Sequence, residues 1–176
     1  VGSRTVETSL KETYKSLGLH AEIYHAHALN NLDEREKFIT KMRQNPKDSI
    51  EVFKKWRQLK ETIQSDPARK WYVVNLVRDP VAMKVSALFT TLYQHIPDWK
   101  ARVRENKLSM SDLDELFYSK EEFGFKRLDL WYDDQIKALW GVDVYNTSFP
   151  TRNGFQIYQA ANISILVIRL ENLNDV

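Results

Sequence analysis

The feature that most constrains the fold of this chain is an apolar run that ends in an Arg-Asp-Pro turn. The run Trp71–Val77 is β-branched and aromatic and too short for a solvent-facing helix, so it predicts a buried strand. Asp79 is predicted to be an N-cap and Pro80 the first residue of a helix, where its fixed φ and missing N–H are harmless. Arg78 then lies at the carboxyl end of a strand, where open α/β sheets bind ligands, and Ser86 lies two turns into the helix. The segment predicts an anion site, or else only a well-formed turn with a solvated arginine.

A second candidate anion site opens the chain. The small, hydroxyl-rich turn Gly2–Thr5 runs into a helical pattern whose Val6 and Leu10 point inward. Free N–H groups at the start of a helix, with the positive end of the helix dipole behind them, suit a phosphate or a sulfate. The Walker A pattern is absent, which disfavours a kinase or ATPase that uses a magnesium nucleotide.

A histidine pair lies between these two segments. Ile23 and its neighbours predict a short second strand, with His25 and His27 at its end. Residues two apart on an extended chain point the same way, so the two imidazoles are expected side by side. Zinc is the weakest interpretation, since the chain has no cysteine and His20 and His95 have no ligand spacing. A general base and a pair of structural histidines both remain open.

Taken in order, the three segments resemble a known family. Gly-Ser-Arg-Thr before a helix, His-Ala-His after the second strand and Val-Arg-Asp-Pro with a serine six residues later resemble the elements of the sulfotransferases that use 3′-phosphoadenosine 5′-phosphosulfate (PAPS). Within these, Arg69–Tyr72, Gly141–Tyr145 and Ile168–Leu173 resemble the capsular polysaccharide synthesis proteins named for an Asn-Lys-Trp-Tyr-Ser motif, which here reads Arg-Lys-Trp-Tyr-Val. The Tyr24–His27 stretch is also similar to the histidine pair of the heparan sulfate 2-O-sulfotransferases.

The resemblance implies a fold. It is an α/β, P-loop-type sulfotransferase fold, in which a parallel sheet is flanked by helices and a helical insertion lies between the third and last core strands. Residues 1–176 are expected to be a single sulfotransferase-like domain, truncated at both ends. In the family a lysine normally starts the 5′-phosphosulfate loop, and by alignment it would fall just before Val1. The strand that should precede that loop is missing as well.

The resemblance also implies roles for named residues. The 5′-phosphosulfate would be held by the opening loop, which consists of Gly2, Ser3, Arg4 and Thr5. Arg78 and Ser86 would contact the 3′-phosphate. His27 would take the proton of the acceptor hydroxyl, with His25 in a supporting or alternative role. Glu171 is interpreted as a structural carboxylate.

The predicted function is transfer of a sulfuryl group from PAPS to a hydroxyl of an acceptor, a carbohydrate or polysaccharide by resemblance. No metal is expected, because a lysine and loop amides can stabilise the leaving group. Two alternatives stay open. One is a catalytically inert anion- or nucleotide-binding module of the same fold, and the other is a nucleotide or sugar kinase with a divergent phosphate loop.

Composition limits the remaining classes. At 176 residues and 43% hydrophobic content, the chain can bury one sizeable core. A net charge of +2 does not call for nucleic acid, and the absence of cysteine fits a reducing cytoplasm. No apolar stretch reaches the roughly 20 residues of a membrane span, so no membrane segment is predicted. The sequence leaves the oligomeric state open.

Periodicity predicts the helices. A helix over 33–44 is broken at Asn45-Pro46, and a helix capped by Asp48 follows. The apolar stripe of this second helix consists of Ile50, Phe53, Trp56, Leu59 and Ile63. In the helix over 80–95 the inward residues are predicted to be Val81, Val85, Leu88, Phe89 and Leu92.

Shorter elements are predicted for the rest of the chain. Ser111 caps a short helix, and a helix over 127–140 that buries Leu128 ends at Gly141. The runs 142–145 and 155–158 are predicted to pair across a turn at 151–154, and 163–168 is predicted to be the last buried strand.

Overall fold

The computed structural model describes residues 3–42, 47–118 and 130–173. Its helices are α1 (Ser3–Ser16), α2 (Leu32–Met42), α3 (Lys47–Ser65), α4 (Pro80–His95), α5 (Trp99–Arg104), α6 (Met110–Tyr118), a π-helix (Asp133–Lys137) that continues into α7 (Ala138–Trp140), and two 3₁₀ turns (Val144–Asn146 and Leu170–Asn172). Its strands are β1 (Trp71–Val77), β2 (Phe155–Ala160) and β3 (Ile163–Arg169). The chain divides into two compact units, one formed by 1–77 with 131–176 and the other by 78–130.

The three strands form one mixed sheet in the order β1-β3-β2. β1 runs parallel to β3, with Trp71 opposite Ile163, whereas β2 is antiparallel to β3. The expected parallel arrangement is thus found for the core strands β1 and β3, whereas the antiparallel β2 makes the sheet a mixed one. The prediction of a helical stretch between β1 and the last strand is confirmed, since α4, α5, α6 and the π-helix all lie there.

The predicted second strand around Ile23 is not formed. Residues 19–26 have no regular secondary structure, although the run is apolar enough for a strand. A strand exists only where a neighbour supplies its ladder of hydrogen bonds, and in the described structure β1 pairs with β3 alone. The segment that carries the histidines is instead held by side chains.

The predicted pairing of 142–145 with 155–158 is also wrong. Asp143 accepts a hydrogen bond from the backbone N–H of Tyr145 at 3.0 Å, which folds this stretch into a 3₁₀ turn. The β2 strand pairs with β3 through the tight connection at residues 161–162. Gly154 has a positive φ of 73°, and a Cβ there would clash with the side chain of Asn172, so only glycine fits at the end of the 151–154 turn.

The core of the first unit lies on one face of the sheet. β3 buries Ile163, Ile165 and Val167, with Ile165 fully inaccessible. These side chains pack with Ile136 and Val142 and with the partly buried Trp71. Full burial of an aliphatic side chain stabilises the fold by about 1.5–3 kcal/mol. This cluster fixes the sheet against the π-helix.

A smaller cluster connects α2 and α3 to the segment after the histidines. Ala28, Leu32 and Phe53 are buried, and Trp56 packs against them. Phe53, Leu59 and Ile63 confirm the predicted stripe, whereas Ile50 is 48% exposed and does not belong to it. The predicted break at Asn45-Pro46 lies outside the described residues. The prediction of Asp48 as the cap is wrong, because α3 already includes Lys47 and Asp48 lies inside the helix.

The second unit begins with the turn that the sequence singles out. Asp79 accepts a hydrogen bond from Ala82 N–H at 2.8 Å, and Pro80 is the first residue of α4, so both predictions are confirmed. Only Leu88 and Leu92 of the predicted inward set are buried, and the exposed ones are Val81, Val85 and Phe89. The buried stripe is thus narrower than the apolar pattern.

Two further helix boundaries test the predicted caps. The cap of α6 is Ser109 rather than Ser111, because Ser109 and Asp112 exchange hydrogen bonds across the first turn. Gly141 has a φ of 69° and ends α7 as predicted. The start of the predicted 127–140 helix, with Leu128, lies outside the described residues. None of the helices in the described part of the chain has the length and apolar character needed to cross a bilayer.

Candidate active site

The two histidines lie side by side in the first unit. The ring centroids of His25 and His27 are 4.7 Å apart, with the ring planes inclined by 62°. The predicted closeness of the pair is found, although the segment that carries it is not a strand. Two imidazoles at this distance can affect each other's protonation.

His25 is the more enclosed of the two. Its Nδ1 lies 3.1 Å from Oε2 of Glu7, in the second turn of α1, and its side chain is 22% exposed. The indole Nε1–H of Trp56 donates to the backbone carbonyl of His25 at 3.2 Å. His25 Nε2 is buried and has no hydrogen-bond partner among the described residues. The residue is therefore held at Nδ1 and at its backbone.

His27 is exposed on one side and makes an edge-to-face contact with Trp56. Its centroid is 5.9 Å from that of Trp56, with the planes at 75°. Partial burial lowers the pKa of His27 below its ordinary value, and positive charge on His25 and then on Arg4 lowers it further. At neutral pH His27 is thus a neutral imidazole within reach of solvent, and it can accept a proton.

The segment before the histidines is held by Arg69, which lies two residues before the start of β1. Arg69 donates to the Glu22 carboxylate at 2.5 Å, and its guanidinium lies 4.6 Å from the centre of the Trp71 ring. The hydroxyl of Tyr24 donates to the same carboxylate at 2.9 Å. The Arg69 hydrogen bond, followed by that from Tyr24, holds the pKa of Glu22 below its usual range. These contacts attach residues 22–24 to the start of β1.

The segment after the histidines is held by Gln135, which sequence reasoning missed. Gln135 is 2% exposed, and its Oε1 accepts from the backbone N–H groups of Leu29 and Asn30 at 2.8 and 2.9 Å. Its Nε2 donates to the carbonyl of Asn30 at 3.3 Å. Gln135 lies in the π-helix, a form that occurs often at functional sites. A lone glutamine in a helical pattern carries no sequence signal of such a role.

The predicted phosphosulfate residues begin the first helix. Ser3, Arg4 and Thr5 form the exposed first turn of α1, and this turn holds no acidic residue. A helix start without a carboxylate suits an anion such as the phosphosulfate group of PAPS. Gly2 lies outside the described residues. The structure brings this turn, Glu7 and the two histidines into the same unit.

The predicted 3′-phosphate residues lie in the second unit. Arg78 directly precedes the N-cap of α4 and is exposed, as is Ser86. Ser86 follows Asp79 by seven residues, close to two helical turns, so it lies on the face of α4 that begins at the cap. Both side chains are thus open to a phosphate.

The described ranges contain no group of three or more His, Asp or Glu side chains that could hold a metal ion. In the part of the chain that the structure describes, the fold is mixed α/β, and the histidine pair lies beside the first two turns of α1.

Comparison with known proteins gives one family match. Residues 100–176 match the model of a family described as "putative capsular polysaccharide synthesis protein". The matched part is less than half of the 176-residue chain. It contains Gln135, but the histidines, the first turn of α1, Arg78 and Ser86 all precede it. No curated protein and no solved structure matches the chain.

Proposed function

We propose that this protein transfers a sulfuryl group from PAPS to a hydroxyl group of a polysaccharide. The observation that carries the proposal is His27, an exposed imidazole whose pKa is lowered by burial and by neighbouring positive charge. A base of this kind suits removal of a proton from an alcohol near neutral pH. The match of residues 100–176 to a capsular polysaccharide family supports a glycan as the acceptor.

The donor would be held by residues that suit an anion. Ser3, Arg4 and Thr5 offer hydroxyls, a guanidinium and free helix N–H groups to the 5′-phosphosulfate, with Gly2 as the remaining loop residue of the proposal. Arg78 and Ser86 would bind the 3′-phosphate through a charged fork and a hydroxyl. PAPS, when bound, supplies the sulfuryl group and leaves as adenosine 3′,5′-bisphosphate.

His27 moves the proton in this reaction. Its neutral imidazole accepts the proton of the acceptor hydroxyl as a new S–O bond forms to that oxygen and the bond to the bridging oxygen breaks. His27 then releases the proton to water. A positioned base contributes typically about 10²- to 10⁴-fold in rate. His25, held by Glu7, supports His27 in the proposed site.

The experiment is a transfer assay with the full-length protein that carries these residues. Radiolabelled PAPS is incubated with an unsulfated capsular polysaccharide, and both the labelled glycan and the adenosine 3′,5′-bisphosphate are measured. Equal, enzyme-dependent amounts of the two products are expected. Release of the bisphosphate without label in any acceptor, or no turnover across a panel of polysaccharides and small alcohols, contradicts the proposed function.

A further inference from the structure

We propose that Glu7 is a positioning residue that fixes His25 as its Nδ1–H tautomer, so that His25 Nε2 accepts the N–H of the His27 nitrogen that does not take the substrate proton. This inference rests on the proposed function, because it assigns the second histidine a part in the same proton transfer. It connects Glu7, His25 and His27 in one chain of hydrogen bonds. Glu7 belongs to none of the motifs in the sequence.

The tautomer follows from the identity of the two groups that meet at Nδ1. An ionised carboxylate only accepts hydrogen bonds, and Oε2 of Glu7 lies 3.1 Å from His25 Nδ1. The contact therefore places the imidazole proton on Nδ1. In neutral His25 the lone pair is then on Nε2. Carboxylates fix the tautomer and orientation of functional histidines in the same way elsewhere.

Glu7 is kept ionised by the charged groups around it. Lys11, one turn further along α1, pairs with its other oxygen at 2.5 Å. The Lys11 hydrogen bond is the main cause that lowers the pKa of Glu7, and the charges of Lys11 and Arg4 add to it. The backbone of His25 cannot shift freely, because Trp56 donates to its carbonyl. The Glu7 carboxylate and the His25 imidazole thus keep a fixed position relative to each other.

The second ring nitrogen of His25, Nε2, indicates how His25 acts on His27. Nε2 is buried without a partner in the described structure, and an unsatisfied buried acceptor costs about 1–3 kcal/mol. Such an exception calls for a group that satisfies it in another state. The His27 ring is a neighbouring imidazole, with its centroid 4.7 Å away, and in the proposed site a turn of this ring brings its N–H to His25 Nε2. A hydrogen bond from one His27 nitrogen to His25 Nε2 leaves the lone pair of the other His27 nitrogen directed at the substrate hydroxyl, where it takes the proton.

The first test reads the tautomer directly. Nitrogen NMR of the full-length protein, labelled in histidine and recorded above the pH at which the imidazoles protonate, is expected to show the Nδ1–H form for His25. In Glu7→Ala the Nε2–H form is expected to predominate. Glu12→Ala, which removes an exposed carboxylate from the same helix, is the matched control and keeps the wild-type tautomer. An Nε2–H tautomer in the wild type overturns the inference without any variant.

The second test reads the consequence for turnover. Glu7→Ala is expected to lower kcat for sulfuryl transfer by at least about 10-fold with the KM for PAPS unchanged, because Glu7 acts through His25. Glu7→Gln keeps an oxygen acceptor for Nδ1–H and is expected to recover most of kcat. If the wild type transfers sulfuryl groups and Glu7→Ala has the same kcat, the inference is overturned and the proposed function still stands. An Nδ1–H tautomer in a protein with no transfer activity supports the pair and contradicts the function.

Discussion

Gln135 binds both backbone polar groups of Asn30. Its side-chain oxygen accepts the Asn30 N–H at 2.9 Å, and its side-chain nitrogen donates to the Asn30 carbonyl at 3.3 Å. Asn30 follows His27 by three residues, and its own side chain donates to the carbonyl of Asp134 at 3.0 Å. The π-helix thus sets the path of the chain directly after the histidine pair. This is the contact through which the family-matched part of the chain supports the candidate site.

Replacing Gln135 with methionine is expected to destabilise the protein while keeping the volume of the side chain. The backbone N–H groups of Leu29 and Asn30 lose their shared acceptor, and each buried group left unsatisfied costs about 1–3 kcal/mol. Urea unfolding followed by circular dichroism is expected to show a loss of at least about 2 kcal/mol. Gln159→Met, at an exposed position of β2, is the matched control and is expected to change stability by less than about 0.5 kcal/mol. Equal losses of stability in the two variants would show that Gln135 does not hold the backbone of Leu29 and Asn30.

Local signals were enough to predict the turn from β1 to α4. Asp79 and Pro80 act on the first turn of their own helix, so their roles depend on nothing distant in the chain. The prediction of a strand around Ile23 is wrong, because a strand needs a neighbouring strand to pair with, and the local sequence pattern does not reveal whether one is present. The strand predicted at residues 142–145 is also absent, because the hydrogen bond from Tyr145 N–H to Asp143 folds this apolar run into a 3₁₀ turn.

The pH dependence of His27 is predicted from the direction of its pKa. That pKa lies below its ordinary value of 6.5, mainly through burial and then through the positive charges of His25 and Arg4. Only the neutral imidazole accepts a proton, so kcat/KM is expected to fall with falling pH, with its midpoint below 6.5. Because the unfolded chain takes up this proton at higher pH than the folded chain, stability is also lost as pH drops from about 6.5 toward the folded pKa.

Proton NMR titration of the His27 ring in the ligand-free protein measures this shift. Arg4→Gln is expected to raise the pKa of His27, because it removes a nearby positive charge. Lys15→Gln, in the last turn of the same helix, is the control and is expected to leave it in place. A wild-type midpoint at or above 6.5 would refute the neutral-base account of His27.

Arg78 is predicted to provide the preference for a 3′-phosphate. Calorimetric titration is expected to show tighter binding of adenosine 3′,5′-bisphosphate than of adenosine 5′-phosphate. Loss of a charged hydrogen bond costs about 1.5–3 kcal/mol, so Arg78→Ala is expected to remove about 10- to 100-fold of that preference. Arg104→Ala, at the end of α5 in the same unit, is the control and keeps it. Equal affinity for the two nucleotides in the wild type would end this assignment.

The candidate site was only partly accessible from the sequence. The two-residue spacing of His25 and His27 predicted neighbouring rings, because a locally extended chain brings such residues to one side. Glu7 and Gln135 meet the histidine segment from 18 and more than 100 residues away, so no local pattern could identify them. Their roles depend on tertiary packing, which also holds the segment in place without a strand.

The most direct test of the account is the rate of sulfuryl transfer from PAPS in the His27→Ala variant of the full-length protein. A loss of at least about 100-fold in kcat, with nucleotide affinity little changed, is predicted, because the variant lacks the base and keeps the donor-binding residues. His25→Ala is predicted to lose less, and His20→Ala, an exposed histidine outside the site, to keep the wild-type rate. Near-normal turnover in His27→Ala would contradict the account.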